Sequence, residues 1–288
     1  MKTLQKICVG GVPEHFNLPW HNALADDAFK EIGLDVEFKK CPGGTGEMTS
    51  LMKSGDLDAA LLLFEGAVTN ILRDNPNRIV KVYVQSPLIW GIDVSANSSI
   101  NAVEEIQDKV YAISRAGSGS HLIAIVDAAE RDWPIDDIKF SKVGNLTGAR
   151  EKLANGKVDV FLWEKFTTQP LVDSGEFRRV GERVVPWPAF VVAARQDVIA
   201  SHGAKLRQML EIVDRYSNDF KNNANATEIV TEKFGIKKSD SEQWFAHVQW
   251  HPGFQCPDET ISTIVRYLSE VKIIDTPNAT AQDVWQNL

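Results

Sequence analysis

Short apolar runs alternate with stretches of helical periodicity through the first two thirds of the chain. The apolar runs predict β-strands at 7–10, 34–38, 59–64, 80–85, 90–94, 110–113, 139–143, 158–163 and 190–195. Apolar residues at three- and four-residue spacing predict helices at 21–32, 47–54 and 120–131. The run 59–64 is continuously apolar, which is typical of a strand buried on both faces of a sheet. Repeated alternation of strands and helices indicates an α/β protein with mostly parallel sheets.

A short pattern of residues occurs twice. In the first copy, a small-residue turn at 43–46 opens a helix, and a Gly-x-x-Asp turn at 55–58 then leads into an apolar strand that ends near Glu65. In the second copy, the turns lie at 116–120 and 156–159, and the strand ends at Glu164. Two similar α/β units that face each other make a cleft. The duplication therefore predicts a two-lobed protein with a small-molecule site between the lobes.

Two extended segments that contain prolines, 83–91 and 184–191, flank the second copy of the pattern. We expect the chain to cross between the lobes there, as hinge strands do; the alternative is an ordinary surface loop at each position. The predicted division is 1–88 for the first part of lobe 1, 89–188 for lobe 2, and 189–288 for the second part of lobe 1. Helical periodicity dominates from 201 onward, with further helices predicted near 225–234, 240–247 and 258–269, and this indicates a helical cap on lobe 1.

Composition narrows the classes of function. The net charge of −8 and the pI of about 5.3 weigh against a nucleic-acid-binding protein. Three widely spaced cysteines fit unlinked thiols in a reducing compartment better than a disulfide framework. No apolar run approaches the roughly 20 residues of a membrane span, and no signal peptide is visible. We therefore expect a cytoplasmic protein, or a periplasmic one if a leader has been removed.

Several of these segments together resemble a known family. They are the loop with His15, Phe16 and Trp20, the two turns at 43–46 and 55–58, and the Ser86-Pro87 crossover. The chain resembles type II periplasmic binding proteins, in the branch of receptors for thiamine-pyrimidine precursors and alkyl sulfonates. It is also similar to a stand-alone subgroup without a leader peptide, first noticed in a yeast. The resemblance implies a venus-flytrap fold, with two α/β lobes, two crossover strands and a ligand between them.

The chain departs from its relatives in two respects. Receptors that deliver a ligand to an ABC transporter carry an export signal, and none is visible here. An ABC-transporter permease is a partner only if the protein is exported. The cysteine-rich motif of related pyrimidine-synthesising enzymes is absent as well.

The duplicated turns are candidate anion or polar-ligand sites. Ligands of open parallel sheets bind outside the carboxyl ends of the strands, where helix N-termini offer free N–H groups. Thr45, Ser118 and Ser120 add hydroxyl groups to these turns. The alternative for each turn is a capped helix start that binds nothing.

Aromatic and acidic residues at strand ends complete the predicted site. Four tryptophans lie in loops or at strand ends: Trp20, Trp90, Trp163 and Trp187. Their rings could stack on a flat ligand ring, and Trp20 and Trp163 are the strongest candidates. The alternative for each is packing in the core. Glu65 and Glu164 could accept hydrogen bonds from a ligand amino group or ring N–H, or could instead stabilise a helix N-terminus. The predicted ligand-binding residues are His15, Phe16, Trp20, Gly44, Thr45, Gly46, Glu65, Trp90, Ser118, Gly119, Ser120, Trp163, Glu164 and Trp187.

Two classes of function remain open. The first is a non-catalytic solute-binding protein for a polar ligand, with a nitrogen heterocycle such as a thiamine or pyrimidine precursor as the example. The second is a cytoplasmic enzyme of vitamin or cofactor metabolism built on the same fold. The histidines lack metal-binding spacing, and no nucleotide-binding fingerprint is present, so we expect no catalytic residue, metal or cofactor.

Overall fold

A computed structural model describes residues 5–288 and contains two five-stranded sheets. The first has the order β2-β1-β3-β10-β4, from β1 (Gln5–Gly11), β2 (Leu34–Lys40), β3 (Ala59–Leu63), β4 (Asn77–Val84) and β10 (Phe190–Arg195). The second has the order β7-β6-β8-β5-β9, from β5 (Ile89–Ser95), β6 (Val110–Ile113), β7 (Lys139–Lys142), β8 (Val160–Glu164) and β9 (Phe177–Val184). Both sheets have the same spatial order of equivalent strands. The two-lobed α/β fold predicted from the sequence is confirmed.

One strand in each sheet runs against its neighbours. β10 is antiparallel to β3 and β4, and β5 is antiparallel to β8 and β9, whereas β1 and β6 pair in parallel with both of their neighbours. The reason is the connection: β5 follows β4, and β10 follows β9, through short links at 85–88 and 185–189. Each of these strands enters its sheet from the other lobe, at the carboxyl ends of the parallel strands, so it must run the opposite way.

This arrangement turns the carboxyl ends of the two sheets toward each other. Trp90, at the start of β5, lies opposite Glu164, at the end of β8. Phe190, at the start of β10, lies opposite Leu63, at the end of β3. The predicted lobe boundaries at 88/89 and 188/189 fall in the two links. They stay predictions, as does hinge motion about them.

Eleven α-helices cover the sheets within the described residues. They are α1 (Leu18–Ala25), α2 (Thr45–Ser54), α3 (Phe64–Ile71), α4 (Gly119–Glu130), α5 (Leu146–Ala154), α6 (Lys165–Asp173), α7 (Gln196–Lys221), α8 (Ala226–Phe234), α9 (Lys238–His247), α10 (Asp258–Glu270) and α11 (Ala281–Val284). Short 3₁₀ helices span His15–Asn17, Ala28–Ile32, Val103–Ile106 and Ile135–Asp137. No helix within 5–288 is long and apolar enough to cross a membrane.

Some sequence expectations for individual elements were wrong or incomplete. The single helix expected at 21–32 is divided, because Asp27 adopts a left-handed backbone with φ of 55° and separates α1 from the 3₁₀ helix that follows. The helices α3, α5, α6 and α11 and the strand β9 were not predicted. The run 59–71 is buried almost throughout, so hydrophobic periodicity does not mark where β3 ends and α3 begins. β9 carries four charged residues among its eight, which hides its strand character.

The C-terminal helices complete the lobe that contains the first sheet. Lys81 of β4 is fully buried, and its ammonium group donates hydrogen bonds to Asp214 of α7 at 3.0 Å and to the His251 carbonyl at 2.9 Å. Near the end of the chain, Trp285 forms a β-bridge with Ile79. A buried ammonium group needs such partners, because unpaired charge in the interior is costly. These contacts attach the C-terminal region to β4, as the predicted helical cap requires.

The duplicated Gly-x-x-Asp turn has the same structural role in both lobes. The Asp58 carboxylate accepts the N–H of Cys8 at 2.8 Å, and the Asp58 N–H donates to the Cys8 carbonyl at 2.9 Å. The Asp159 carboxylate likewise accepts the N–H of Val110 at 2.9 Å, and its N–H donates to the Val110 carbonyl at 2.8 Å. Each aspartate therefore ties the entry of one parallel strand to the strand beside it.

We expect Asp159→Ala to lower the free energy of unfolding by about 1–3 kcal/mol, because it removes a hydrogen bond to a charged acceptor and leaves the Val110 N–H without that acceptor. Denaturant unfolding measures the change. Lys157→Ala, an exposed position in the same turn, is the control and should lie within about 0.5 kcal/mol of the wild type. Equal stabilities for the two variants would contradict the assigned role of Asp159.

Candidate functional site

A cavity lies between the facing carboxyl ends of the two sheets. It contains about 430 Å³ of space outside atoms, its mouth included. The first sheet and its loops contribute Val12, Glu14, Gly43, Gly44, Thr45, Leu61, Leu63 and Phe190. The second contributes Trp90, Ser114, Ser118, Gly119, Ser120, Trp163 and Glu164, and Leu88 comes from the first link. Both lobes therefore form the cavity wall.

The duplicated turns reach this cavity, as the repeat predicted. Gly44 has a φ of 70°, a conformation that favours glycine, and α2 begins at the next residue. The Thr45 hydroxyl accepts the N–H of Leu63 at 3.0 Å, which fixes the turn to the end of β3. In the second lobe, the Ser120 hydroxyl accepts the N–H of Ser114 at 3.0 Å. These hydroxyl groups hold the turns in shape, and the N–H groups at the helix starts remain without intrahelical partners.

The lobes touch each other at the cavity. Gly119, at the start of α4, lies so close to the first sheet that a Cβ atom there would be 2.2 Å from a methyl carbon of Leu63. The same atom would be 2.8 Å from the ring of Trp90. A side chain at residue 119 therefore cannot be accommodated in this arrangement of the lobes.

Two buried glutamates, one from each lobe, line the cavity. Glu14 follows β1 and is 6% exposed, and Glu164 ends β8 and is 3% exposed. Burial raises the pKa of the Glu14 carboxyl to about 8, and the nearby Glu164 carboxylate acts in the same direction. Burial also raises the pKa of Glu164 to about 7, although hydrogen bonds from Thr167 and Phe166 oppose the rise. The cavity thus holds two acids that titrate near neutral pH.

Glu164 also stabilises a helix N-terminus, which the sequence analysis gave as the alternative to ligand binding. Its carboxylate accepts the N–H groups of Phe166 at 3.1 Å and Thr167 at 2.7 Å, so it caps the N-terminus of α6. The imidazole Nε2 of His15 lies 3.8 Å from the same carboxylate, across the lobe boundary. Burial lowers the pKa of His15 to about 3, so the ring is neutral. Glu164 is therefore both a helix cap and a wall of the cavity.

The cavity has aromatic walls but no basic side chain. Trp90 and Trp163 line it, and Trp163 is held by stacking on Phe161 at a centroid distance of 5.2 Å. The indole N–H of Trp90 is buried and has no hydrogen-bond partner among the described residues. None of the lining residues is Lys, Arg or His. The ionisable side chains among the lining residues are therefore the two carboxyl groups alone.

Of the predicted binding residues, the structure brings eight to the cavity wall: Gly44, Thr45, Trp90, Ser118, Gly119, Ser120, Trp163 and Glu164. It places six elsewhere: His15, Phe16, Trp20, Gly46, Glu65 and Trp187. That the eight bind a ligand stays a prediction.

The six residues outside the wall have packing partners. Trp20 lies in the core against Phe29 and Phe38, each at a centroid distance of 6.0 Å, because α1 begins before it and turns its ring inward. His15 and Phe16 pack on Trp244, with centroids at 4.4 and 5.5 Å.

Glu65 and Glu164 are not equivalent, although the repeat suggested that they would be. β3 ends at Leu63, so Glu65 falls inside the first turn of α3 and its side chain turns away from the cavity. There it accepts the indole N–H of Trp187 at 3.0 Å, which ties it to the second link. Gly46 also lies outside the wall, beneath the side chain of Arg115.

The sequence reasoning missed several lining residues, Val12, Glu14, Leu61, Leu63, Leu88, Ser114 and Phe190, and it included Gly43 only as part of the turn at 43–46. Glu14 is the important omission. It lies in the loop after β1, at the carboxyl end of a parallel strand, and that position alone could have identified it. Within residues 5–288, no three His, Cys, Asp or Glu side chains cluster as metal ligands would.

Comparison with known proteins identifies the fold. The model of the Ca3427-like periplasmic-binding-protein family matches residues 90–183. The structure of the Candida albicans CA3427 gene product is 24% identical, covers 94% of this chain and 92% of its own, and superposes with a TM-score of 0.86. The alkanesulfonate-binding protein SsuA from Xanthomonas axonopodis pv. citri, bound to MOPS, is 14% identical, with 98% of each chain covered and a TM-score of 0.81.

The periplasmic aliphatic sulphonate-binding protein SsuA from Escherichia coli is 13% identical, covers 98% of this chain and 92% of its own, and has a TM-score of 0.68. No curated protein sequence matches the chain. The protein therefore has the type II periplasmic-binding-protein fold, and its resemblance to the branch that includes the Ca3427-like group and the sulfonate receptors is confirmed.

Proposed function

We propose that the protein binds a small molecule between its lobes, and that this molecule presents N–H donors and a flat ring to the cavity. The observation that carries the proposal is the pair of buried carboxyl groups, Glu14 and Glu164, in a wall without a basic side chain. A nitrogen heterocycle such as a thiamine or pyrimidine precursor has both features. The protein is thus a solute-binding protein.

The charge of the wall favours a donor-rich or cationic ligand. Burying an ionised carboxylate is costly unless it gains a partner, and the raised pKa of Glu14 reflects this cost. The Trp163 indole N–H donates toward Glu14 and opposes the rise, but no described side chain gives Glu14 a positive partner, and a ligand amino group or positive charge supplies one. A sulfonate would be attracted by the helix N-termini, but it would find no basic side chain in the wall and would be repelled by each carboxyl that is ionised. We therefore expect a ligand of a different class from the alkanesulfonates that SsuA binds.

The aromatic residues favour a planar ligand. Trp90 and Trp163 present indole surfaces at the cavity, and such rings stack on heterocycles. For a cationic heterocycle, the cation–π attraction adds about 0.5–2 kcal/mol. The free indole N–H of Trp90 can donate to a ring nitrogen or a hydroxyl group of the ligand.

A second candidate function is an enzyme that transfers protons in the same cavity. Carboxyl groups with pKa values of about 7 and 8 can act as general acid and base near neutral pH. Mass spectrometry of the natively purified protein separates the two functions when the bound molecule is incubated with fresh protein. An unchanged molecule supports binding, and a converted one supports catalysis.

We expect thiamine and its pyrimidine half, 4-amino-5-hydroxymethyl-2-methylpyrimidine, to bind in calorimetric titrations at pH 7.5, and MOPS not to bind. Glu14→Gln and Trp163→Ala should each weaken binding by about 1–3 kcal/mol, because they remove a charge-assisted hydrogen bond and a stacking surface. Glu65→Gln, a buried glutamate outside the wall, is the control and should bind as the wild type does. Tighter binding of MOPS than of either pyrimidine would refute the ligand class.

Thiamine carries a fixed positive charge, so its affinity should depend on pH through the cavity carboxyls. Glu14 is protonated in the free protein below its pKa of about 8, and a cation prefers the ionised form. The affinity should therefore rise as pH increases from 6 to 8.5, by at most about tenfold per pH unit for each carboxyl that must ionise. The rise should be smaller in Glu14→Gln. An affinity that stays flat or falls over this range would exclude Glu14 as the partner of the cation.

A further inference from the structure

Arg115 extends from the second lobe onto the glycine turn of the first. It lies between β6 and α4, directly before the second copy of the duplicated turn. A Cβ atom on Gly46 would be 2.6 Å from Cδ and 3.0 Å from Cγ of Arg115. A Cβ atom on Gly43 would be 2.2 Å from Nη2. The side chain of Arg115 therefore lies along the backbone of residues 43–46, in space that glycine leaves free.

The backbone of Arg115 is held firmly in its own lobe. Its carbonyl accepts the Ser118 hydroxyl at 2.8 Å and the Ser118 N–H at 3.2 Å. The same serine lines the cavity. The backbone that carries the Arg115 side chain is thus fixed relative to α4 and to the cavity wall of lobe 2.

The side chain of Arg115 has no polar partner of its own in the described part of the chain. Within 5–288, its guanidinium group forms neither a hydrogen bond nor an ion pair shorter than 4.0 Å. It is also absent from the cavity wall. Its contacts are with the Gly43–Gly46 turn, where the Glu47 carboxylate accepts the Gly43 N–H at 2.7 Å and provides a negative charge nearby.

We propose that Arg115 holds the two lobes together over the cavity, and that its side chain fits there because residues 43 and 46 are glycine. The contact joins the residue before the second copy of the repeated turn to the first copy and exists only when the lobes are close. Arg115 is a positioning residue: it controls how long the cavity stays closed without touching the ligand. The inference rests on the proposed function in one respect, namely that closing the lobes retains a ligand. Closing of the lobes itself can be measured without a ligand.

Gly46→Ala tests whether the Arg115 side chain needs the space beside Gly46, and it does so without straining the backbone. Gly46 lies within α2 and does not have a positive φ, so alanine suits the helix there. The added methyl group should nevertheless keep the Arg115 side chain from packing against this turn. In the double variant Arg115→Ala/Gly46→Ala, the arginine side chain that the new methyl group would block is already absent. The double variant should therefore be no more open than Arg115→Ala. Gly203→Ala, where a Cβ atom meets nothing closer than 3.9 Å, and Arg215→Ala, at an exposed position, are the matched controls.

The experiment measures the distance between the lobes of the ligand-free protein by pulsed electron paramagnetic resonance. Nitroxide labels are attached to cysteines introduced at the exposed residues Lys53 and Lys157, with Cys8 and Cys256 replaced by serine. We expect a closed population in the wild type, and a fall on the order of tenfold in the ratio of closed to open protein for Arg115→Ala and for Gly46→Ala. The two controls should match the wild type.

Three results would overturn the inference: a wild type without the closed distance, an Arg115→Ala variant with the wild-type distribution, or additive effects in the double variant. A parallel measurement with thiamine keeps the two proposals separate. If thiamine fails to bind but the ligand-free distributions change as expected, the ligand class is wrong and the role of Arg115 stands. If thiamine binds and Arg115→Ala closes as the wild type does, the role of Arg115 is wrong and the ligand class stands.

Discussion

Each sheet receives one strand directly from the other lobe, and this constraint decides where the cavity lies. Because β5 and β10 enter after links of only a few residues, they must begin at the carboxyl ends of the parallel strands. Those ends therefore face each other in both lobes. The loops that follow β1, β2 and β6 and the end of β8 then meet at one cavity, with the two duplicated turns on opposite sides of it.

The same geometry explains the chemistry of the cavity. The carboxyl ends carry Glu14 from one lobe and Glu164 from the other, and both are buried where the lobes meet. Ionised carboxylates in such a place are costly, so their pKa values rise to about 8 and about 7. Helix capping offsets part of the cost for Glu164, whereas no described residue forms an ion pair with Glu14. The donor-rich ligand that we propose would give Glu14 such a partner.

Hydrophobic patterning and the repeat were sufficient to predict the two lobes, most strands and the two turns at the cavity. They could not predict which way a side chain turns at an element boundary. Glu65 and Glu164 both follow apolar strands, but Glu65 falls one position inside a helix and faces Trp187. Trp20 shared a loop with cavity residues, yet α1 directs it into the core. The position of Glu14 after β1 could have identified it, whereas Arg115 could not be identified, because a contact across lobes has no signature in local sequence.

The most direct test of the account counts the protons exchanged when thiamine binds. Calorimetric titration at pH 7 in buffers of different ionisation enthalpy gives that number. If the cation takes its place beside Glu14 and Glu164, both carboxyls must ionise, and because Glu14 is mostly protonated and Glu164 about half protonated at pH 7, roughly one to two protons should be released per thiamine bound. Glu14→Gln should release fewer protons. Binding with no proton exchange, or with proton uptake, would contradict the claim that these two carboxyls receive the ligand.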